Sequence, residues 1–369
     1  MLPIVFSFAV AFLVSMWLVR SSHLHARFSS DSDLAGVQKF HVWPVPRIGG
    51  LAIVVALLSC WVALWYRAKT EQLFFLHMLL VVLPAFASGL FEDISKRGGV
   101  VLRMSCILFS AMLAWWLLGI RVVRLDISFI DSVMSIPAIS FVFSVVALAG
   151  VTNAMNFIDG YNGLSAAVAA IMLAGIGYVA FLNGDHLIWS LAAGGIGACL
   201  GFLFWNWPRG LIFLGDGGAY LLGFWIAASA ILLIARNPGV SPWFAFLLVI
   251  YPVVETIFTM ARRLSRQANP GLPDAAHLHQ LVYKRLMRWA VGSPDPRHKV
   301  FRNSMTSPYL WLLSSLGVIP ATLFWSNTFA LQCSVVMFIV AYIWLYRCIA
   351  RFRAPRWLIV RRRRNPRGS

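Results

Sequence analysis

Charge is scarce in this chain of 369 residues: Asp, Glu, Lys and Arg make up 12% of it, against 60% hydrophobic residues. A soluble domain carries about 25% charged residues. Its apolar residues also come in short stripes, whereas here they come in runs longer than a core helix needs. That excludes a large globular protein and leaves a membrane protein. Acids are scarcer still, 13 against 31 Lys and Arg, for a net charge of +18. Such a surplus can mark nucleic-acid binding, but no RNA- or DNA-binding motif accompanies it and the basic residues sit beside apolar runs. No nucleic-acid partner is expected; the charge reads as loop charge facing anionic membrane lipids, plus phosphate recognition. The five cysteines, Cys60, Cys106, Cys199, Cys333 and Cys348, contain no CxxC pair and all lie in or at the ends of apolar runs. They read as small apolar residues, without disulfides or a metal role. No basic residue precedes the first apolar run, as a cleaved signal peptide requires, so that run reads as the first span. No internal repeat and no soluble module is visible, which leaves 1–369 as a single transmembrane domain.

What is present is an all-α, polytopic pattern of about eleven transmembrane helices, near 2–20, 48–66, 73–91, 101–119, 138–155, 163–182, 187–206, 211–234, 242–261, 307–325 and 327–346. Trp17, Trp65, Tyr66, Trp205 and Trp207 fall near span ends, where aromatic belts lie. Starting outside, eleven spans end inside. With that orientation the inner segments hold 26 Lys and Arg and the outer loops five, Arg67, Lys69, Arg121, Arg124 and Arg236. The bias favours a periplasmic N-terminus and a cytoplasmic C-terminus. The largest inner loop is 262–306, and a basic tail runs over 347–369, where Arg361 to Arg364 would lie on anionic lipid. Gly197 and Gly201 make a GxxxG spacing, read as a helix-packing face.

The few acids gather at the inner ends of these spans. Glu92 and Asp93 close the third, in GLFEDISKR. They serve either a metal and a reacting group or a local pairing with Lys96 and Arg97. Asn153, Asn156 and Asp159 recur every three residues and so share one helix face. Helix capping accounts for one of them but not for the cluster. Asp216 lies among glycines at the start of a span, in FLGDGGAY. It either complements the helix dipole or, with the glycines giving room, takes a metal and a phosphate. His277 and His279 lie in the long inner loop with Lys284 and Arg285 nearby. They are either solvated loop residues or binders of phosphate or nucleotide, and no third ligand has zinc spacing. Arg47, in VPRIGG, is either a positive-inside turn residue or a phosphate ligand. Carboxylates from three distant segments at one membrane depth are what a divalent cation and a diphosphate need.

In order along the chain, VPRIGG, GLFEDISKR, NAMNFIDGYNGL, FLGDGGAYLLG and DAAHLHQ together resemble the polyprenyl-phosphate N-acetylhexosamine-1-phosphate transferases, over about residues 41–285. The resemblance implies transfer of a sugar-1-phosphate from a UDP-N-acetylhexosamine to undecaprenyl phosphate, with release of UMP, at cytoplasmic loops of a bacterial inner-membrane enzyme. It implies catalytic roles for Glu92, Asp93 and Asp159, and Mg²⁺ (or Mn²⁺) on Asp216 and Asp93. Arg47, Asn153, Asn156, His277, His279, Lys284 and Arg285 would bind substrate. A homodimer is a further expectation. The chain departs from the family pattern at Glu92, where Asp is usual, at Asn162, where a second Asp is common, and at Gln280, where His is frequent. Glu92 and the HLHQ segment incline the reading to the branch that starts O-antigen and lipopolysaccharide synthesis. The alternatives are the phospho-MurNAc-pentapeptide transferase of peptidoglycan synthesis and, in another class, a secondary transporter.

Overall fold

A computed structural model of the chain describes residues 2–31, 44–66, 69–97, 99–265, 277–287 and 296–351. Inside a bilayer no water can satisfy backbone groups, so apolar runs close their hydrogen bonds within themselves as helices. All eleven predicted spans are helical. They correspond to α1 (Leu2–Arg20), α3 (Gly49–Ala63), α4 (Lys69–Ser95), α5 (Val100–Leu118), α7 (Pro137–Ile158), α8 (Leu164–Leu182), α9 (His186–Asn206), α10 (Gly215–Arg236), the pair α11 (Pro242–Leu248) and α12 (Ile250–Ser265), α14 (Pro296–Leu323) and α15 (Thr328–Ala350). The short α2 (Ser22–Ser29), α6 (Ser128–Met134) and α13 (Leu278–Leu281) lie between them, and α13 runs on as a π-turn over Val282–Met287. Among the described residues, one strand pairing joins Ser30–Asp31 to Val45–Pro46.

The elements differ from the expected spans in three respects. Among the described residues, eight helices are each long and apolar enough to cross a membrane, or nine if α11 and α12, bent by 68° at Val249, count as one span. The other two expected spans are α3, which is short, and α14, whose first turns are polar. The expected large loop 262–306 is partly helix: its first residues finish α12 and its last begin α14. Residues 266–276 and 288–295, like residues 352–369 of the basic tail with Arg361 to Arg364, lie outside the described residues.

Lipid tails are as apolar as Leu, so helices in a membrane associate through close packing rather than through the hydrophobic effect. Helix α10 is the hub, buried along most of its length and packed on α4, α7, α3, α8 and α9. Its contacts are made by small residues. A Cβ at Gly89 of α4 would strike the backbone of Gly217, and one at Gly50 of α3 would strike Gly218. Gly197 and Gly201 receive α1 in the same way, at Ile4, Ser7, Phe8 and Ala11. Helices α5 and α15 are largely exposed, with Trp116, Phe329 and Met337 outward, as befits a lipid-facing perimeter. One end of the bundle is tied by Arg124 to the carbonyls of Pro238 and Val240, and by Asp126 to Ser241 and Thr328. The acids singled out in the sequence lie at the other end.

Candidate active site

Two backbone junctions build this end. The N–H groups of Gly49 and Gly50, left open at the start of α3, donate to the carbonyls of Phe213 and Leu214, each at 2.9 Å. The Phe213 N–H in turn donates to the Pro46 carbonyl at 2.8 Å. The VPRIGG and FLGDGG segments are therefore one hydrogen-bonded unit, which carries Arg47 to Asp216. The second junction is Asp93. Its Oδ1 accepts the Asp216 N–H and its Oδ2 the Gly217 N–H, both at 3.1 Å. A carboxylate at the unfavourable C-terminal end of α4 thus sits on the favourable N-terminus of α10.

Asp216 is the meeting point. Its Oδ1 takes a hydrogen bond from Asn156 Nδ2 at 3.0 Å and one from Arg47 Nη2 at 3.3 Å; its Oδ2 takes one from Arg103 Nη1 at 3.1 Å. Arg103 Nη1 also lies 2.9 Å from Glu92 Oε2, and Arg47 Nε lies 3.6 Å from Asp93 Oδ1. The Asp216 side chain keeps 16% exposure and that of Arg47 keeps 35%, so the cluster opens to the outside of the bundle. Asp159, just past the end of α7, feels the same charges. Burial raises its pKa first, the charge of Asp216 raises it further, Arg47 opposes and Asp93 adds, and the result is about 8.

The histidine pair closes another side. His277 and His279 stack at 5.1 Å with rings 6° apart. Phe157 meets His277 edge-on at 5.4 Å, and Tyr161 meets His279 at 5.4 Å. A Cβ at Gly160 would lie 3.4 Å from His279 Nε2, so the loop seats directly beside Asp159. Asn162 does not face the acids. It is buried and binds Pro208 after α9, and Asn303 and Ser307, which pin the start of α14 to this turn.

The structure therefore brings together Arg47, Glu92, Asp93, Asn156, Asp159 and Asp216, with His277 and His279 alongside. Asn153 lies one turn before Asn156 on α7 and is half-buried. Two expectations change. Both oxygens of Asp93 accept backbone N–H groups and the residue is buried, so it anchors α10 rather than standing open as a base or metal ligand. Arg285 donates to the Ile349 carbonyl at 2.7 Å and to that of Ala350, in the last turn of α15, and Lys284 precedes it on the same π-turn. The glycines around Asp216 change meaning as well. Gly215, with φ of 76°, abuts the Asp93 carboxylate, and Gly217 and Gly218 abut α4 and α3, so they make room for helices and not for a ligand.

Two participants escaped the sequence reading. Arg103 counted only as inner-face charge, although it is the bridge between Glu92 and Asp216. Glu255 is fully buried on α12 beside His277. Its signal was available, because a lone acid within an apolar span marks a site by default.

Among the described residues no three His, Cys, Asp or Glu side chains form a ready metal cage. Mg²⁺ does not require such a cage: it takes one or two carboxylates and fills its shell with water and substrate phosphates. Asp216 is partly exposed, and its carboxylate is held now by two guanidinium groups and an amide N–H, so a divalent ion there would take over the charge that Arg47 and Arg103 now neutralise.

The pattern that defines glycosyl transferase family 4 matches residues 75–234, a stretch containing Glu92, Asp93, Arg103, Asp159 and Asp216. The chain is 26% identical over 296 residues to a probable undecaprenyl-phosphate N-acetylglucosaminyl 1-phosphate transferase of Bacillus subtilis, covering 79% of each protein. It is 31% identical over 270 residues to a decaprenyl-phosphate N-acetylglucosaminephosphotransferase of Mycolicibacterium smegmatis, covering 65% of each. A phospho-N-acetylmuramoyl-pentapeptide-transferase of Latilactobacillus sakei matches a shorter stretch, 33% identical over 205 residues, 51% of this chain and 61% of that one.

Proposed function

From the match of residues 75–234 to glycosyl transferase family 4, we propose that this membrane chain transfers N-acetylhexosamine-1-phosphate from a UDP-sugar to undecaprenyl phosphate, releasing UMP. The observation that carries the reading is Asp216, held between Arg47, Arg103 and Asn156 at the N-terminus of α10. Both substrates are anionic, so the physical problem is to bring phosphates together. Two guanidinium groups that now neutralise Asp216 and Glu92 are the cations in reach of a diphosphate, and guanidinium geometry suits phosphate oxygens. Asp216, with Glu92 nearby, would hold Mg²⁺ together with substrate phosphates, and that ion would supply charge neutralisation and polarise the phosphorus.

In the step itself, an oxygen of the lipid phosphate attacks the sugar-bearing phosphorus. The bond from that phosphorus to the bridging oxygen breaks, and UMP departs with the bridging oxygen. Asp159, its pKa raised to about 8, would take the proton of the singly charged lipid phosphate or position the doubly charged form, which a second phosphate pKa of about 6 makes dominant at pH 7. The histidine pair and Asn153 would hold the nucleotide. An apolar groove of about 660 Å³ between α7, α10 and α11 runs from Arg121 and Arg124 at the opposite end of the bundle to Val151 and Val249, a lining that suits the far part of an isoprenoid chain rather than its phosphate. The arrangement puts chemistry at one end of the bundle rather than at midplane sites of broken helices, which disfavours a transporter.

The names of the two longer-matching relatives specify N-acetylglucosamine, which supports an N-acetylhexosamine donor over the peptidoglycan precursor. The finer role, starting an O-antigen or lipopolysaccharide glycan, rests on Glu92 and the HLHQ segment. The test is a donor panel with purified protein and undecaprenyl phosphate, with and without Mg²⁺, read by UMP release. UDP-N-acetylglucosamine or a related UDP-N-acetylhexosamine is expected to react. Turnover of UDP-MurNAc-pentapeptide alone would overturn the choice of donor. Solute flux into proteoliposomes without UMP release would overturn the enzyme.

A further inference from the structure

The histidine loop is held by a group that the reaction scheme has not used. Glu255, on α12 just beyond the break, has no exposed surface. A carboxylate in such a place is costly unless each oxygen is satisfied. Oε1 accepts the Leu278 N–H at 2.9 Å and lies 3.4 Å from His277 Nδ1; Oε2 accepts the Tyr342 hydroxyl from α15 at 2.8 Å. His277 Nδ1 also lies 3.2 Å from the Thr259 hydroxyl, one turn along α12. A hydroxyl can donate or accept, so Thr259 alone would leave the tautomer of His277 open. An ionised carboxylate only accepts. With Glu255 on the same side, Nδ1 must carry the proton, in the neutral ring and in the charged one alike.

We infer that Glu255 is a positioning residue: its buried carboxylate, fastened to α15 through Tyr342, fixes the proton of His277 on Nδ1 and so presents Nε2 as the working atom toward the substrate. The same carboxylate binds the backbone of Leu278, so ring orientation and loop position are set together. This is how a second carboxylate disciplines a working imidazole in other settings, by holding tautomer and angle rather than by touching substrate. The stacked ring of His279 and the edge of Phe157 leave the His277 ring little freedom to turn. The inference rests on the substrate-binding role proposed for His277, and Glu255 acts only through it.

Two measurements test this on the full-length protein. The first needs no altered carboxylate. In wild-type protein labelled with ¹⁵N-histidine, with His277 assigned by comparison with His277→Gln, Nδ1 is expected in the protonated range; an unprotonated Nδ1 would overturn the inference. The second is a double-mutant cycle of Glu255→Gln and His277→Ala, read as kcat and KM for the UDP-sugar. Glutamine keeps an acceptor oxygen but lets its amide donate. Loss of such an orienting partner typically lowers activity about 10- to 100-fold. The double variant is expected to be no worse than His277→Ala, whereas additive losses would show Glu255 acting independently of His277. If Glu255→Gln does not fold, Glu255→Asp takes its place in the cycle. Full activity in the Glu255 variant alongside an active wild type would sink the positioning role alone. A wild type that releases no UMP from any donor would instead sink the proposed reaction.

Discussion

At the scale of single residues, the acids divide by what already holds them. Both oxygens of Asp93 are engaged by the start of α10, so its loss is a structural event. Asparagine can accept only one of the two N–H groups. Asp93→Asn is therefore expected to cost about 0.5–2 kcal/mol, the range for a lost helix cap, and to lower the melting midpoint as well as activity. Unchanged thermal stability would show that the anchor is dispensable. Asp159 has the opposite character. A carboxyl whose pKa is raised to about 8 is mostly protonated at pH 7 and becomes a competent base as pH climbs through that value. Activity per enzyme should accordingly rise between about pH 6.5 and 8.5 and then level. In Asp159→Asn that limb should vanish along with most of the rate. A wild-type profile flat across this range would exclude Asp159 as the base.

At the scale of elements, glycine sets the geometry of the site. Helix α4 reaches α10 only because Gly89 and Gly217 lack side chains, and that approach sets Glu92 and Asp93 against Asp216. Gly89→Ala should force the two helices apart at a cost of about 1–3 kcal/mol, the usual range for overpacking. A shift of about 1 Å at reacting groups can itself cost about 100-fold in rate. Gly150→Ala is the control: a Cβ there meets nothing within 4 Å, and alanine favours a helix. It should leave UMP release intact. Equal effects of the two substitutions would remove the packing explanation. The helices themselves were legible in the sequence, because a run that cannot find water must bond within itself. The bend between Leu248 and Ile250 was not, since Val249 belongs to an unbroken apolar run. The glycines beside Asp216 were visible but misread, because a ligand and a neighbouring helix make the same demand for space. Arg103 and Glu255 were missed for different reasons. Arg103 looked like any inner-face cation, and its role depends on the turn between α4 and α5. Glu255 stood out as an intramembrane acid, but its partners His277 and Tyr342 come from far along the chain.

At the scale of the whole molecule, the helix bundle separates two ends with different jobs. Arg47, Arg103, Asp159 and Asp216 gather at one, while the Arg124 and Asp126 contacts stitch the other. The skew of Lys and Arg in the sequence favours a cytoplasmic site end. Reporter fusions should bear this out. Green fluorescent protein joined after Arg351 should fluoresce, and alkaline phosphatase inserted at Asn183 to Asp185 should be active. The reverse pattern would put the carboxylates on the wrong side for a cytoplasmic nucleotide sugar. What the sequence made visible at this scale was that acids from three remote segments lie at one depth. What it left hidden was the connection between them, made by backbone hydrogen bonds between VPRIGG and FLGDGG and by Asp93 on α10.

The decisive measurement is UMP release from a UDP-N-acetylhexosamine by wild type and by Asp216→Asn, each with undecaprenyl phosphate across a Mg²⁺ titration. Wild type should release UMP only when lipid and Mg²⁺ are both present. Asp216→Asn, folded and with an unaltered melting midpoint, should fall by about 100-fold or more, as when a group stabilising the developing charge is removed. An Asp216→Asn protein that releases UMP at the wild-type rate, with the same Mg²⁺ dependence, would contradict a reaction organised around Asp216.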